Sequence, residues 1–98
     1  MLLRVNDSGN YPLVYIEWED SYGCSSEWES IENCSPEVSV CQSVGWLIHD
    51  GEKCKVVVPH LNMPNHPNVK RQGCGDMTIP ASAILRIAQL TPPKRKAN

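Results

Sequence analysis

The chain has 98 residues, a formal charge of −2, 41% hydrophobic residues and no Phe. That length allows one domain with one small core and excludes a large multi-site enzyme. No apolar run approaches the ~18 residues of a membrane span, and the start, Met1-Leu2-Leu3-Arg4-Val5-Asn6-Asp7, lacks the apolar stretch of a secretory signal, so a cytoplasmic protein is expected.

Charge is unevenly placed along the chain. Residues 1–50 carry Arg4 against nine acids, a balance of −8, and residues 51–98 carry eight Lys or Arg against Glu52 and Asp76, a balance of +6. In a small barrel the two halves interleave, so folding is expected to mix the signs. The five cysteines (24, 34, 41, 54 and 74) are odd in number and none are close neighbours. They read as reduced thiols in apolar runs rather than as a disulfide framework.

Residues 1–11 contain Asp7-Ser8-Gly9-Asn10, a turn cluster, and read as a loose N-terminal arm or a short edge strand. Leu13 to Glu19 alternate, with Val14, Ile16 and Trp18 on a core face and Tyr15, Glu17 and Glu19 opposite, which predicts a strand. Ser26-Glu27-Trp28-Glu29 fits a capping box and predicts a short α-helix over 26–33. Its acids suit the first turn, and Trp28 would lie as a lid on the core.

Residues 38–48 predict a long strand that bends at Gly45. Asp50-Gly51 signals a hairpin returning through Lys53 to Val58. A three-residue loop, Asp50-Gly51-Glu52, aligns Ile48 with Cys54, Trp46 with Val56 and Val44 with Val58, and so puts Trp46 inside. Residues 59–72 form a long polar loop, and Gly73 to Ile79 a further strand. Pro80-Ala81-Ser82-Ala83 breaks that strand as a 3₁₀ turn, and Ile84 to Leu90 closes the domain, with helix the competing reading for 81–90. Residues 91–98 are a basic tail, expected to be disordered. The order predicts a mainly β fold over residues 12–90, a small SH3-like barrel of about five strands with one short α-helix and a 3₁₀ turn before the last strand. Closure would remove most exposed edges.

Several segments together resemble a group of short accessory proteins encoded by tailed phages and prophages. They are Tyr15-Ile16-Glu17-Trp18-Glu19-Asp20-Ser21, Trp28, Ser43-Val44-Gly45-Trp46-Leu47-Ile48-His49-Asp50, and Gly73-Cys74-Gly75-Asp76-Met77-Thr78-Ile79-Pro80 running into Ile84-Leu85-Arg86-Ile87. The resemblance implies a non-enzymatic phage protein in the bacterial cytoplasm. It would bind and block or sequester a host component, a protein or a nucleotide-like signal, in a counter-defence setting. It brings no catalytic residues.

The residues themselves offer few chemical motifs. Zinc sites need close ligand pairs such as CxxC, and there are none, so no metal or cofactor is expected. A cysteine enzyme is the third reading, with Cys24 before the predicted helix or Cys74 between two glycines as its nucleophile. Gly73-Cys74-Gly75-Asp76 lacks the spacing of a phosphate loop, though its amides beside Lys70 and Arg71 could hold an anion. The ligand- or partner-binding set is Trp18, Asp20, Tyr22, Trp28, Lys70, Arg71, Cys74 and Asp76, with stacking by the aromatics and charge from the rest. Against it stands the plainer reading that Trp18 and Trp46 fill the core. The acids Glu17, Glu19, Asp20, Glu27, Glu29 and Glu32 could steer a basic partner. Nucleic-acid binding is the runner-up, weak because the chain lacks a basic stripe outside Lys94-Arg95-Lys96. A homo-oligomer with a ligand between subunits also fits a small barrel.

Overall fold

A computed structural model describes residues 10–23, 26–63 and 67–94. Most of the N-terminal arm, Cys24, His66 and the basic residues Arg95 and Lys96 lie outside the described residues. Strands are β1 (Leu13–Asp20), β2 (Ser39–Asp50), β3 (Cys54–Val58), β4 (His60–Leu61), β5 (Gly73–Cys74), β6 (Met77–Pro80) and β7 (Ile84–Leu90). Two 3₁₀ turns cover Ile31–Asn33 and Ala81–Ala83. Five strands form one antiparallel sheet in the order β6-β3-β2-β1-β7, and β4 pairs with β5 alone.

The alternation of β1 is realised as read. Val14 and Ile16 are fully buried, and Trp18 packs half-buried on the same core. Leu47, Val57 and Ile79 complete that core, with Met77, Ala83, Ile84 and Ile87 packed against it. Ile84 to Leu90 is a strand rather than a helix because its pairing with β1 decides the matter. Ile87 lies opposite Ile16 and Ile84 opposite Trp18, across a register shift after Glu17. The turn at Ala81–Ala83 is tied to the β2–β3 hairpin, where the Ala81 N–H donates to the Lys53 carbonyl at 2.8 Å.

Four expectations need correction. First, no α-helix forms among the described residues, and Ile31–Asn33 is the sole helical turn of the 26–33 segment. A helix this short needs an apolar face docked on a core. Trp28 and Ile31 instead project into solvent, so Trp28 is no lid. Second, the β2–β3 register differs. Gly51 N–H donates to the Cys54 carbonyl at 3.0 Å, so the chain reverses at Glu52-Lys53, and Trp46 pairs with Val58. Leu47, not Trp46, faces the core, and Val44 is exposed.

Third, the Gly73 to Ile79 strand is split and the loop before it is shorter than read. His60 pairs with Cys74 and Leu61 with Gly73, in the register that pairs Cys54 with Pro80. One hairpin arm therefore runs from β3 through β4, broken at Pro59 and at Gly75. Gly75 has φ 77°, which glycine adopts without the steric cost of a Cβ. Fourth, the sheet does not close. β6 and β7 stand at its two edges and do not pair with each other.

Candidate functional site

β1 has a different surface at each end. At its C-terminal end, Asp20 pairs with Ser39, and residues 21–38 connect the two strands. No Lys or Arg occurs from residue 5 to residue 52, so this connection is charged only by Glu27, Glu29, Glu32 and Glu37, next to Glu19 and Asp20. Its apolar side chains find no core. Trp28 is fully exposed, Ile31 is 89% exposed, and Tyr22 and Val38 are more than half exposed. Tyr22, Trp28, Glu27, Glu29 and Cys34 border an open depression of about 490 Å³.

At the other end, Leu13 lies between Trp46 of β2 and Leu90 of β7. The β3–β4 arm passes here, and Trp46, Pro59, His60, Leu61 and Cys74 border a shallower depression of about 880 Å³. Asn62 fixes the arm's end. Its backbone N–H donates to the Gln72 carbonyl (3.0 Å), its Nδ2 to the Lys70 carbonyl (3.0 Å), and its Oδ1 accepts from the Gln72 N–H (2.7 Å). The Arg71 guanidinium donates to the Asn62 carbonyl and sits 5.9 Å from the centre of the Tyr11 ring.

The sequence-predicted residues thus divide into two groups. Trp18, Asp20, Tyr22 and Trp28 belong to the acidic end. Trp18 is committed to packing and to its indole N–H bond with the Ser43 hydroxyl, 3.0 Å away. Asp20 accepts from the Ser21 N–H at 2.8 Å. Lys70, Arg71, Cys74 and Asp76 belong to the opposite end, all exposed. Folding mixes the charges only in part. Glu27, Glu29, Glu32 and Glu37 join Glu19 and Asp20 at one end of β1 and Arg71 lies by Tyr11 at the other, but Arg86 sits beside Glu17 and Lys55 pairs with Asp50.

The arm brings His60 directly opposite Cys74. Sequence reading missed this Cys–His pairing because it rests on a hairpin register inside a segment read as loop. Among the described residues, no group of three or more Cys, His, Asp or Glu is placed to hold a metal ion. No helix among them is long and apolar enough to cross a membrane.

A hydrogen-bonded cluster occupies the outer face at mid-sheet. The Tyr15 hydroxyl donates to Glu17 Oε2 at 2.5 Å and accepts from Gln42 Nε2 at 2.8 Å. Arg86 lies 3.9 Å from Glu17 and 5.6 Å from the centre of the Tyr15 ring. The bond to Glu17 holds the Tyr15 phenol above its ordinary pKa. No family model matches the chain, and comparison with curated proteins and with solved structures finds no similar protein.

Proposed function

We propose that this chain is a non-enzymatic binding protein whose residues 21–38 engage a basic, partly apolar surface of a protein partner. The carrying observation is the fully exposed Trp28 in a stretch whose charges are all acidic. An exposed tryptophan with Tyr22 and Ile31 nearby is the composition of an interface anchor. Surrounding carboxylates raise the encounter rate with a basic partner and repel acidic ones. In the setting that the phage resemblance implies, the partner is a host protein, and binding blocks it.

The same geometry weighs against a nucleotide-like ligand. A base stacked on Trp28 would bring its phosphates against Glu27 and Glu29, while Lys70 and Arg71 stand at the far end of β1. Nucleic acid meets the same repulsion. We read the architecture as an SH3-like barrel left open between β6 and β7. The strand order, the 3₁₀ turn between β6 and β7, and a β2 long enough to serve both halves of the sheet support that reading.

The test is capture from a bacterial lysate by the intact protein, beside Trp28→Ala, the triple reversal of Glu27, Glu29 and Glu32 to Lys, and Lys70→Ala with Arg71→Ala. The expected result is one captured protein, lost with the first two variants and kept with the third. Equal capture by all four forms, or a nucleotide-sized mass retained in native mass spectrometry, would overturn the reading.

A further inference from the structure

β2 is longer than either neighbour's hold on it. β1 pairs with Ser39 to Trp46, and β3 pairs only from Trp46 to Asp50. β4 continues past Trp46, but its partner is β5. Residues 39–45 therefore pair with β1 on one side and, among the described residues, hydrogen-bond to no strand on the other, although Val58 of β3 closes on Gly45 at their upper end.

The backbone direction of that free edge can be worked out. Leu47 N–H donates to the Pro12 carbonyl at 2.8 Å, and the register with β1 is unshifted from Trp46 to Ser39. In an antiparallel ladder, successive residues turn their N–H and C=O groups to opposite edges. Cys41, Ser43 and Gly45 thus address β1, and Val40, Gln42 and Val44 aim their main-chain groups outward. The edge lacks the usual protections, since Val38 to Ile48 contain no charge and no proline. Its valines are also bare, with Val40 60% and Val44 56% exposed.

We propose that this edge pairs with the same edge of a second copy of the chain. A twofold axis at Gln42 sets Gln42 against its own copy and Val40 against Val44 of the second copy, short of Trp46, whose outward side β3 already occupies. The pattern Val40, Gln42, Val44 reads as apolar–polar–apolar from either end, so every contact is like with like. Each pairing joins outward-aimed residues, as a hydrogen-bonded ladder requires. Antiparallel pairing of the two β2 strands also reverses one molecule along β1. The acidic end of each copy then lies beside the Lys70 and Arg71 end of the other, and this charge complementarity favours a second copy over an unrelated strand.

The test is sedimentation velocity on the full chain from roughly 1 to 500 µM, a range that covers weak to moderate dimers. A monomer–dimer equilibrium is expected, weakened by salt, with amide exchange of Val40, Gln42 and Val44 slowing as concentration rises. Val40→Lys with Val44→Lys should abolish dimerisation, and so should Val40→Glu with Val44→Glu. Both positions are exposed, so these variants keep the monomer fold, which circular dichroism verifies. Mixing the two variants should restore a dimer, because each Lys then meets a Glu. A monomer at every concentration, a dimer that the lysine pair leaves intact, or a mixture that stays monomeric would overturn the proposal. Protection of those three amides at the lowest concentration would overturn it as well, by showing that another segment of the same chain covers the edge.

Discussion

Asp50 and Lys55 face each other across the β2–β3 hairpin as an ion pair whose side chains are only 5% and 10% exposed. A bulge makes this pairing possible. Leu47 faces the core, and simple alternation would send Asp50 to the outer face. The register shift between Leu47 and His49 inserts Ile48 as an extra residue and turns Asp50 back inward. Removing one partner strands a buried charge. Lys55→Ala or Asp50→Asn should each cost roughly 3–5 kcal/mol in urea unfolding. Lys55→Met combined with Asp50→Leu should cost less than either, because it leaves no charge behind. A double variant less stable than both singles would contradict this account.

The phenol of Tyr15 gives a pH prediction. Its bond to Glu17 is the main reason that its pKa stands above 10.0; desolvation and the Glu17 charge add to the rise, and Gln42 and Arg86 oppose it. A folded pKa above the unfolded one stabilises the native state below the unfolded value, and that contribution is lost as pH rises through the folded value. The relevant window therefore opens near pH 10 and extends upward. Glu17→Gln should lower the Tyr15 midpoint, followed by the NMR shift of its ring carbons. An unchanged midpoint would show that the hydrogen bond is not the cause.

How much was legible in the sequence follows from the range of each interaction. The faces of β1 could be read because Val14, Ile16 and Trp18 alternate without interruption. The Ala81–Ala83 turn could be read because Pro80 and the small residues after it are local signals. The β2–β3 register could not. Asp50-Gly51 is a hairpin signal, but the buried partner of Asp50 shifts the reversal to Glu52-Lys53, and a bulge leaves no mark in composition. The capping box at Ser26 misled, because the only helical turn among the described residues there starts at Ser30 without a side-chain cap, and Trp28 and Ile31 have no core to dock on. The candidate site was half legible for a similar reason. The residue types were recognisable, but only the pairing of β1 with β2 and β7 shows that the aromatics and the cations stand at opposite ends.

Gly45 tests the close approach of β2 to β3. A Cβ at this position would sit 2.8 Å from the Val58 carbonyl oxygen, a backbone atom that cannot swing aside. Gly45→Ala should therefore destabilise the fold by roughly 1–3 kcal/mol through overpacking, although Ala is the better residue for a strand in the absence of a clash. Thermal unfolding measures it. An unchanged or raised midpoint would mean that β2 and β3 separate easily at this point.

Asn62 should act locally. Its side chain makes the bonds to Gln72 and Lys70, each of a kind worth roughly 0.5–1.5 kcal/mol. Both lie at the arm's end, away from the core residues Ile16, Leu47 and Ile79. Asn62→Ala should speed amide exchange at Gln72 and along β4 and β5 while leaving the exchange of β1 amides unchanged. Equal acceleration in β1 would show that the arm unfolds together with the main sheet.

Trp28 separates binding from folding. Its side chain buries nothing, so Trp28→Ala should leave the urea midpoint within about 0.5 kcal/mol of the parent, the usual range for surface changes. If the same substitution removes partner capture, the loss belongs to the interface, since the fold is intact. Val40→Lys with Val44→Lys is the matching control. It should disrupt self-association through the β2 edge and leave capture by residues 21–38 in place. Loss of capture in both variants would mean that the partner reads a surface formed only when two copies are paired.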